Sequence, residues 1–148
     1  MRPGRELDCS VAQEILGHEV YVKARVLYER TPQGERPLRN YTQEIQWAWE
    51  VAERANISLI PIENGGWFAL AGTEFGWKSP ADFIAFLQKG DFLTSGAAVG
   101  PNPALMICVA AMKAVEAKRA VDEVAKRRME SNLTLAPGPT SDSGSTGN

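Results

Sequence analysis

Histidine is almost absent from this sequence: His18 is the only one. A multi-histidine metal site is therefore excluded. Any Ser-His-Asp or Cys-His arrangement would have to use this one residue. It follows Gly17 beside a predicted strand and reads as a surface histidine. Cysteine is scarce too. Cys9 and Cys108 lie far apart, each inside a helical pattern and neither with CxxC spacing. Two buried free thiols fit a reducing, cytosolic compartment. No apolar run reaches the length of a membrane span, and the opening MRPGRELD lacks the apolar stretch of a signal peptide. Neither sign of charge dominates: 16 basic and 18 acidic side chains leave −2. That balance lacks the basic footprint of a general DNA binder. No carboxylate pair stands out as an acid and base. The inventory points to a binder more than a catalyst, and no catalytic residue, metal or cofactor is assigned.

What is present is a patterned chain of 148 residues, enough for one domain and a sizeable core. Residues 5–16 repeat Leu7, Val11 and Ile15 every four positions, and Gly17 supplies a helix stop. Residues 19–29 alternate, with Val20, Val22, Ala24, Val26 and Tyr28 on one side, which predicts a single half-exposed strand. RTPQGERPLRN then reads as a loop or hairpin tip. From Lys23 to Arg39 five basic residues face two acidic ones, so this region is locally positive. It reads either as a solvated strand face and loop or as a phosphate-facing loop. A second helix is predicted over 41–55, with Asn40 and Gln43 as a capping box. Its apolar stripe is Ile45, Ala48, Trp49 and Ala52, widened by Trp47 and Val51, and Asn56 ends it. ISLIPIENGGWFALAG carries a hairpin signal at Asn64-Gly65. Pro61 marks its strand as an edge or a bulged strand. Trp67 and Phe68 must point to opposite faces.

Residues 72–100 read as an insertion. Phe75 and Trp77 lie in a Gly-rich loop, PADFIAFLQK forms a short helix closed by Gly90, and TSGAAVG is small and flexible. A last helix is predicted from Asn102 to about Arg128. Its first half, ALMICVAAMKAV, must be buried. Its charged second half projects into solvent or pairs with another helix. The tail 131–148 is of low complexity and reads as disordered. The expected fold is α+β: an antiparallel sheet with helices packed on it, an αβα-type sandwich over residues 1–130, ending in a long C-terminal helix.

Four blocks, GRELDCSVAQEILG, YTQEIQWAWEVAER, ISLIPIENGGWFAL and PNPALMICVAAMKAV, resemble in the same order those of the phage αβα-sandwich domain family. The resemblance covers about residues 4–116. This family contains the Thoeris anti-defence sponge proteins. Those sponge proteins hold cyclic ADP-ribose signals made by bacterial TIR-domain enzymes without cleaving them, and some bind cyclic oligonucleotides of CBASS systems at a separate site. They assemble as dimers and as hexamers built from dimers. The resemblance thus implies a phage-encoded protein in the cytoplasm of an infected bacterial host. Its ligand would be a cyclic ADP-ribose isomer or a cyclic oligonucleotide, and its partner further copies of itself. The sequence departs from the family pattern in a longer 72–100 region and at Val109, where an arginine often follows the IC pair, leaving Lys113 as the first basic residue of that helix. The alternatives are a hydrolase of the same signal and a small phage oligomerisation protein without a small-molecule ligand.

A cyclic ADP-ribose needs donors for its pyrophosphate, a flat surface for adenine and polar groups for its riboses. VGPNPALMIC offers the donors. Pro103 has no N–H, but the amides of Ala104 and Leu105 and the Asn102 side chain are available where the last helix begins. The helix dipole contributes only about 0.3–1 kcal/mol. Arg36 and Arg39 are therefore expected to add charge-assisted bonds, Trp67 or Phe68 a stacking face, and Tyr41 and Lys113 further polar contacts.

Overall fold

The computed structural model describes residues 1–72, 78–89 and 96–135. Phe75, Trp77 and Gly90, and the tail beyond Leu135, lie outside the described residues. The fold is α+β. Its helices are α1 (Arg5–Glu14), α2 (Ile45–Ala55), α3 (Pro80–Lys89) and α4 (Pro103–Leu135). Strands β1 (Glu19–Lys23), β2 (Val26–Thr31) and β3 (Gly34–Pro37) form one antiparallel sheet. Strands β4 (Ile57–Ile62), β5 (Gly66–Ala71) and β6 (Ala97–Gly100) form a second. The chain divides into two compact units, Met1–Ala117 and Lys118–Asn148.

The expected single strand over 19–29 is instead a hairpin. Lys23 pairs with Val26, so the chain reverses through Ala24 and Arg25, both at positive φ (52° and 66°). A two-residue reversal of this kind usually recruits Asn or Gly. The reversal regroups the side chains. Val22 pairs with Leu27 and Tyr21 with Tyr28, and the two tyrosines stack with centroids 6.2 Å apart. The following loop is itself half strand: β3 returns along β2, placing Arg36 opposite Glu29.

The second hairpin forms where Asn64-Gly65 announces it. Both residues have positive φ, 66° and 79°, and Ile62 closes opposite Gly66. β5 is the central strand and Pro61 lies on the edge strand β4, where its missing N–H breaks no ladder. The segment read as flexible, TSGAAVG, supplies β6 instead. Its entry depends on Gly96: at φ +126°, a Cβ there would lie 2.7 Å from the Ala110 carbonyl oxygen of α4. Small residues Ala69, Ala71 and Ala98 line the buried face of this sheet.

Every residue from Ala104 to Met112 is buried, so the first half of α4 forms the middle of the core. Around it lie Val11, Ala12 and Leu16, Leu38 and Tyr41, and Ala48, Val51 and Ala52 of α2. On α2 the buried stripe is Ala48, Val51 and Ala52, while Ile45 and Trp49 of the expected stripe are exposed. α2 begins at Ile45 rather than residue 41, after a turn in which Gln43 and Glu44 amides donate to the Asn40 carbonyl. The expected Asn40–Gln43 box is replaced by an Asn40 amide bond to Glu44 at 3.1 Å. Asn56 ends the helix in the left-handed region, as expected. The stripe of α3, Phe83, Phe86 and Leu87, is half-buried. α4 runs beyond Arg128 to Leu135, and from Lys118 to Leu133 its side chains are exposed, Val121, Val124 and Met129 among them.

Candidate functional site

The GRELD block has a structural use. Asp8, fully shielded from solvent, accepts from the Thr42 amide and hydroxyl, both at 2.9 Å. Arg5 holds Asp8 at 3.0 Å and reaches the Leu38 carbonyl at 2.7 Å. These bonds fix segment 38–42 against α1, and that segment carries the candidate site.

At its centre is Glu29, a residue the sequence reading did not single out. It lies on β2 with no solvent exposure. Tyr41 donates its hydroxyl to both carboxylate oxygens, at 2.7 and 2.9 Å. His18 Nδ1 lies 2.6 Å from one oxygen, and the Arg39 amide donates to the other at 3.0 Å. Arg36 Nε approaches that second oxygen at 3.4 Å as an ion pair, without the alignment of a hydrogen bond. Burial alone raises a carboxyl pKa. Here the bonds from Tyr41, His18 and the Arg39 amide outweigh it, and Glu29 titrates below its ordinary value. Burial and the same carboxylate push the Tyr41 phenol up.

Outward from Glu29, two guanidiniums converge on one oxygen of Glu50, a side chain on α2. Arg36 Nη2 lies 3.8 Å from Glu50 Oε2 and Arg39 Nη1 3.4 Å from it. The Arg39 guanidinium also stacks over Trp47, 3.9 Å from the ring centroid. Glu50 is 40% exposed. It also lines a cleft of about 850 Å3 walled by residues 16–19, residues 30–33, and Glu53 and Arg54. A volume of this size accommodates a small organic ligand.

Three of the predicted site residues, Arg36, Arg39 and Tyr41, therefore meet around two carboxylates. The others lie elsewhere. Asn102 serves as an N-cap: its Oδ1 accepts from the Leu105 amide at 3.2 Å and its Nδ2 donates to the Thr42 carbonyl at 3.3 Å. Ala104 is buried. Both ends of the Asn102 carboxamide are thus used within the chain. Trp67 pairs with Gly100, two residues before Asn102, so strand and helix start share one end of the second sheet. Trp67 and Phe68 are each half-buried. Lys113 lies about 16 Å along α4 from Asn102 and donates to the Ala97 carbonyl at 3.1 Å. None of the eight predicted site residues, Arg36, Arg39 and Tyr41 included, lines the 850 Å3 cleft or a smaller one of about 560 Å3 at the start of α1; Glu50 joins the arginine pair to the larger cleft. Among the described residues no His, Cys, Asp and Glu cluster is placed to hold a metal ion, and no helix is long and apolar enough to cross a membrane.

No protein-family model matches this sequence, and no curated protein matches it. Among solved structures, the chain is similar to a phage protein from Bacillus cereus ATCC 14579, with a TM-score of 0.52. The likeness covers 78% of this chain and 89% of that one at 18% identity. At that identity it speaks for a shared fold.

Proposed function

We propose that this is a phage protein that binds and sequesters a cyclic ADP-ribose-type signal without cleaving it, silencing a Thoeris-type defence in the host cytoplasm. The observation that carries this reading is the convergence of Arg36 and Arg39 on Glu50. Glu50 holds an oxygen anion between two guanidiniums at the edge of a ligand-sized cleft. A ligand phosphate offers the same oxygens and replaces it there. Two charge-assisted contacts supply at most about 3–6 kcal/mol, from which the two Glu50 contacts they replace must be subtracted. Nanomolar binding needs about 12 kcal/mol, so enclosure by the cleft walls or by a second copy of the chain provides the rest. The fold likeness to a phage protein and the four ordered sequence blocks agree with this reading.

A hydrolase of the same signal is the second reading. It is favoured by His18, which lines the cleft with its Nδ1 held by a buried carboxylate, as in a general base. One experiment separates the two. The protein is incubated with cyclic ADP-ribose isomers, and in a parallel arm with cyclic di- and trinucleotides, then freed of unbound ligand and heat-denatured. Sequestration predicts release of chemically intact ligand. An altered product establishes the hydrolase, and no retained ligand in any arm removes both.

A further inference from the structure

We propose that the cleft beside α2 is a ribose-phosphate subsite. In it, His18 Nε2 contacts a phosphoryl oxygen while Glu53 accepts ribose hydroxyls. The assignment rests on the nucleotide-binding reading above and says which part of the nucleotide enters this cleft.

The imidazole is set in place from behind. Its Nδ1 is 2.6 Å from Glu29, a carboxylate itself fixed by Tyr41 and the Arg39 amide. Such a bond keeps the proton on Nδ1 and fixes the ring plane. The opposite nitrogen, Nε2, has no hydrogen-bond partner among the described residues and is not a buried unsatisfied atom. The imidazole, expected at the surface, is only 8% exposed, and Nε2 is its one nitrogen not held by Glu29; His18 lines the cleft. As the imidazolium it donates to a phosphate oxygen, and as the neutral ring it accepts from a phosphate hydroxyl.

The other walls narrow the ligand class. Arg30 and Arg54 face Glu19, Glu50 and Glu53 in the same cleft. Arg30 is tied to Glu19 at 3.0 Å, an exposed pair that separates at little cost. Three carboxylates disfavour a bare polyanion. They suit a molecule that pairs one phosphate with adjacent hydroxyls, because carboxylates are acceptors only and diols supply donors. Gln33 adds both a donor and an acceptor. A ribose phosphate meets each requirement, whereas phosphate or ribose alone meets half.

The single histidine makes the test direct, since one imidazole produces all histidine NMR signals. The full chain is titrated with ribose 5-phosphate, inorganic phosphate, ribose and cyclic ADP-ribose. The expected result is a saturable movement of the His18 ring signals by ribose 5-phosphate, at lower concentration than by phosphate or ribose. Two variants follow by calorimetry. His18→Asn keeps an amide where Nδ1 meets Glu29 but has nothing at Nε2, so it should melt like the parent and bind ribose 5-phosphate about tenfold more weakly. Glu53→Gln should weaken ribose 5-phosphate and leave inorganic phosphate unchanged. Stationary His18 signals while cyclic ADP-ribose binds overturn the subsite and leave the nucleotide-binding reading standing. Parent-like affinity in His18→Asn does the same. Failure of every ligand to bind overturns both.

Discussion

The Tyr41 hydroxyl bonds both oxygens of the buried Glu29 carboxylate, at 2.7 and 2.9 Å. It ties the segment after β3 to the middle strand of the first sheet. Tyr41→Phe removes a bond to a charged acceptor and is expected to cost about 1.5–3 kcal/mol. Urea unfolding should show a lower midpoint with an unchanged slope.

Glu29 also sets an acid limit. Its carboxyl titrates below the ordinary 4.5 in the folded chain. The stabilisation it provides is complete above that ordinary value and is lost as the pH falls through the lowered one. Stability measured from neutral pH downward should decline below about pH 4.5. In Glu29→Gln that part of the decline should be absent, and the variant should be weaker by about 3–5 kcal/mol at neutral pH because Arg36 loses its buried partner.

At the entry to β6, Gly96→Ala brings a methyl group into the α4 backbone and forces a positive φ on a residue that resists it. The expected loss is at least about 1–3 kcal/mol, seen as a lower melting temperature. Gly17→Ala, where a Cβ meets nothing within 4 Å, should cost less.

Burial pushes the Cys108 thiol up to about 12, and its Sγ lies 3.4 Å from the Tyr41 carbonyl. A thiol reagent at neutral pH should leave Cys108 unmodified in the native chain and label it on unfolding. Rapid native labelling of Cys108 would contradict its place in the core.

The elements legible in the sequence were those with local signals. Asn64-Gly65, Asn56 and Gly17 end or reverse the chain through their own backbone preferences, and Pro61 marks an edge strand. The apolar run after Asn102 has no polar face and so must be central. The misread elements depend on tertiary contacts. Ala24-Arg25 turns the chain without any turn residue, because pairing of Tyr21 with Tyr28 and Val22 with Leu27 outweighs local preference. β6 contains only alanine, valine and glycine, a composition that looks flexible until α4 packs against it. Arg36 and Arg39 were visible within a positive stretch. Glu29 and Glu50, which organise them, were not, since a lone glutamate in an alternating pattern carries no sign of burial or of a cleft. The GRELD arginine and aspartate looked like a motif and are spent on holding segment 38–42.

The most direct test of the arginine-framed site is calorimetric titration of cyclic ADP-ribose into the parent, Arg39→Ala and Glu50→Gln. Arg39→Ala keeps the backbone amide that Glu29 needs and removes only the guanidinium. The account predicts binding to the parent, a loss of about tenfold or more in Arg39→Ala, and equal or tighter binding in Glu50→Gln, where the resident anion is gone. Binding to the parent with no loss in Arg39→Ala, or no binding to the parent at all, would contradict it.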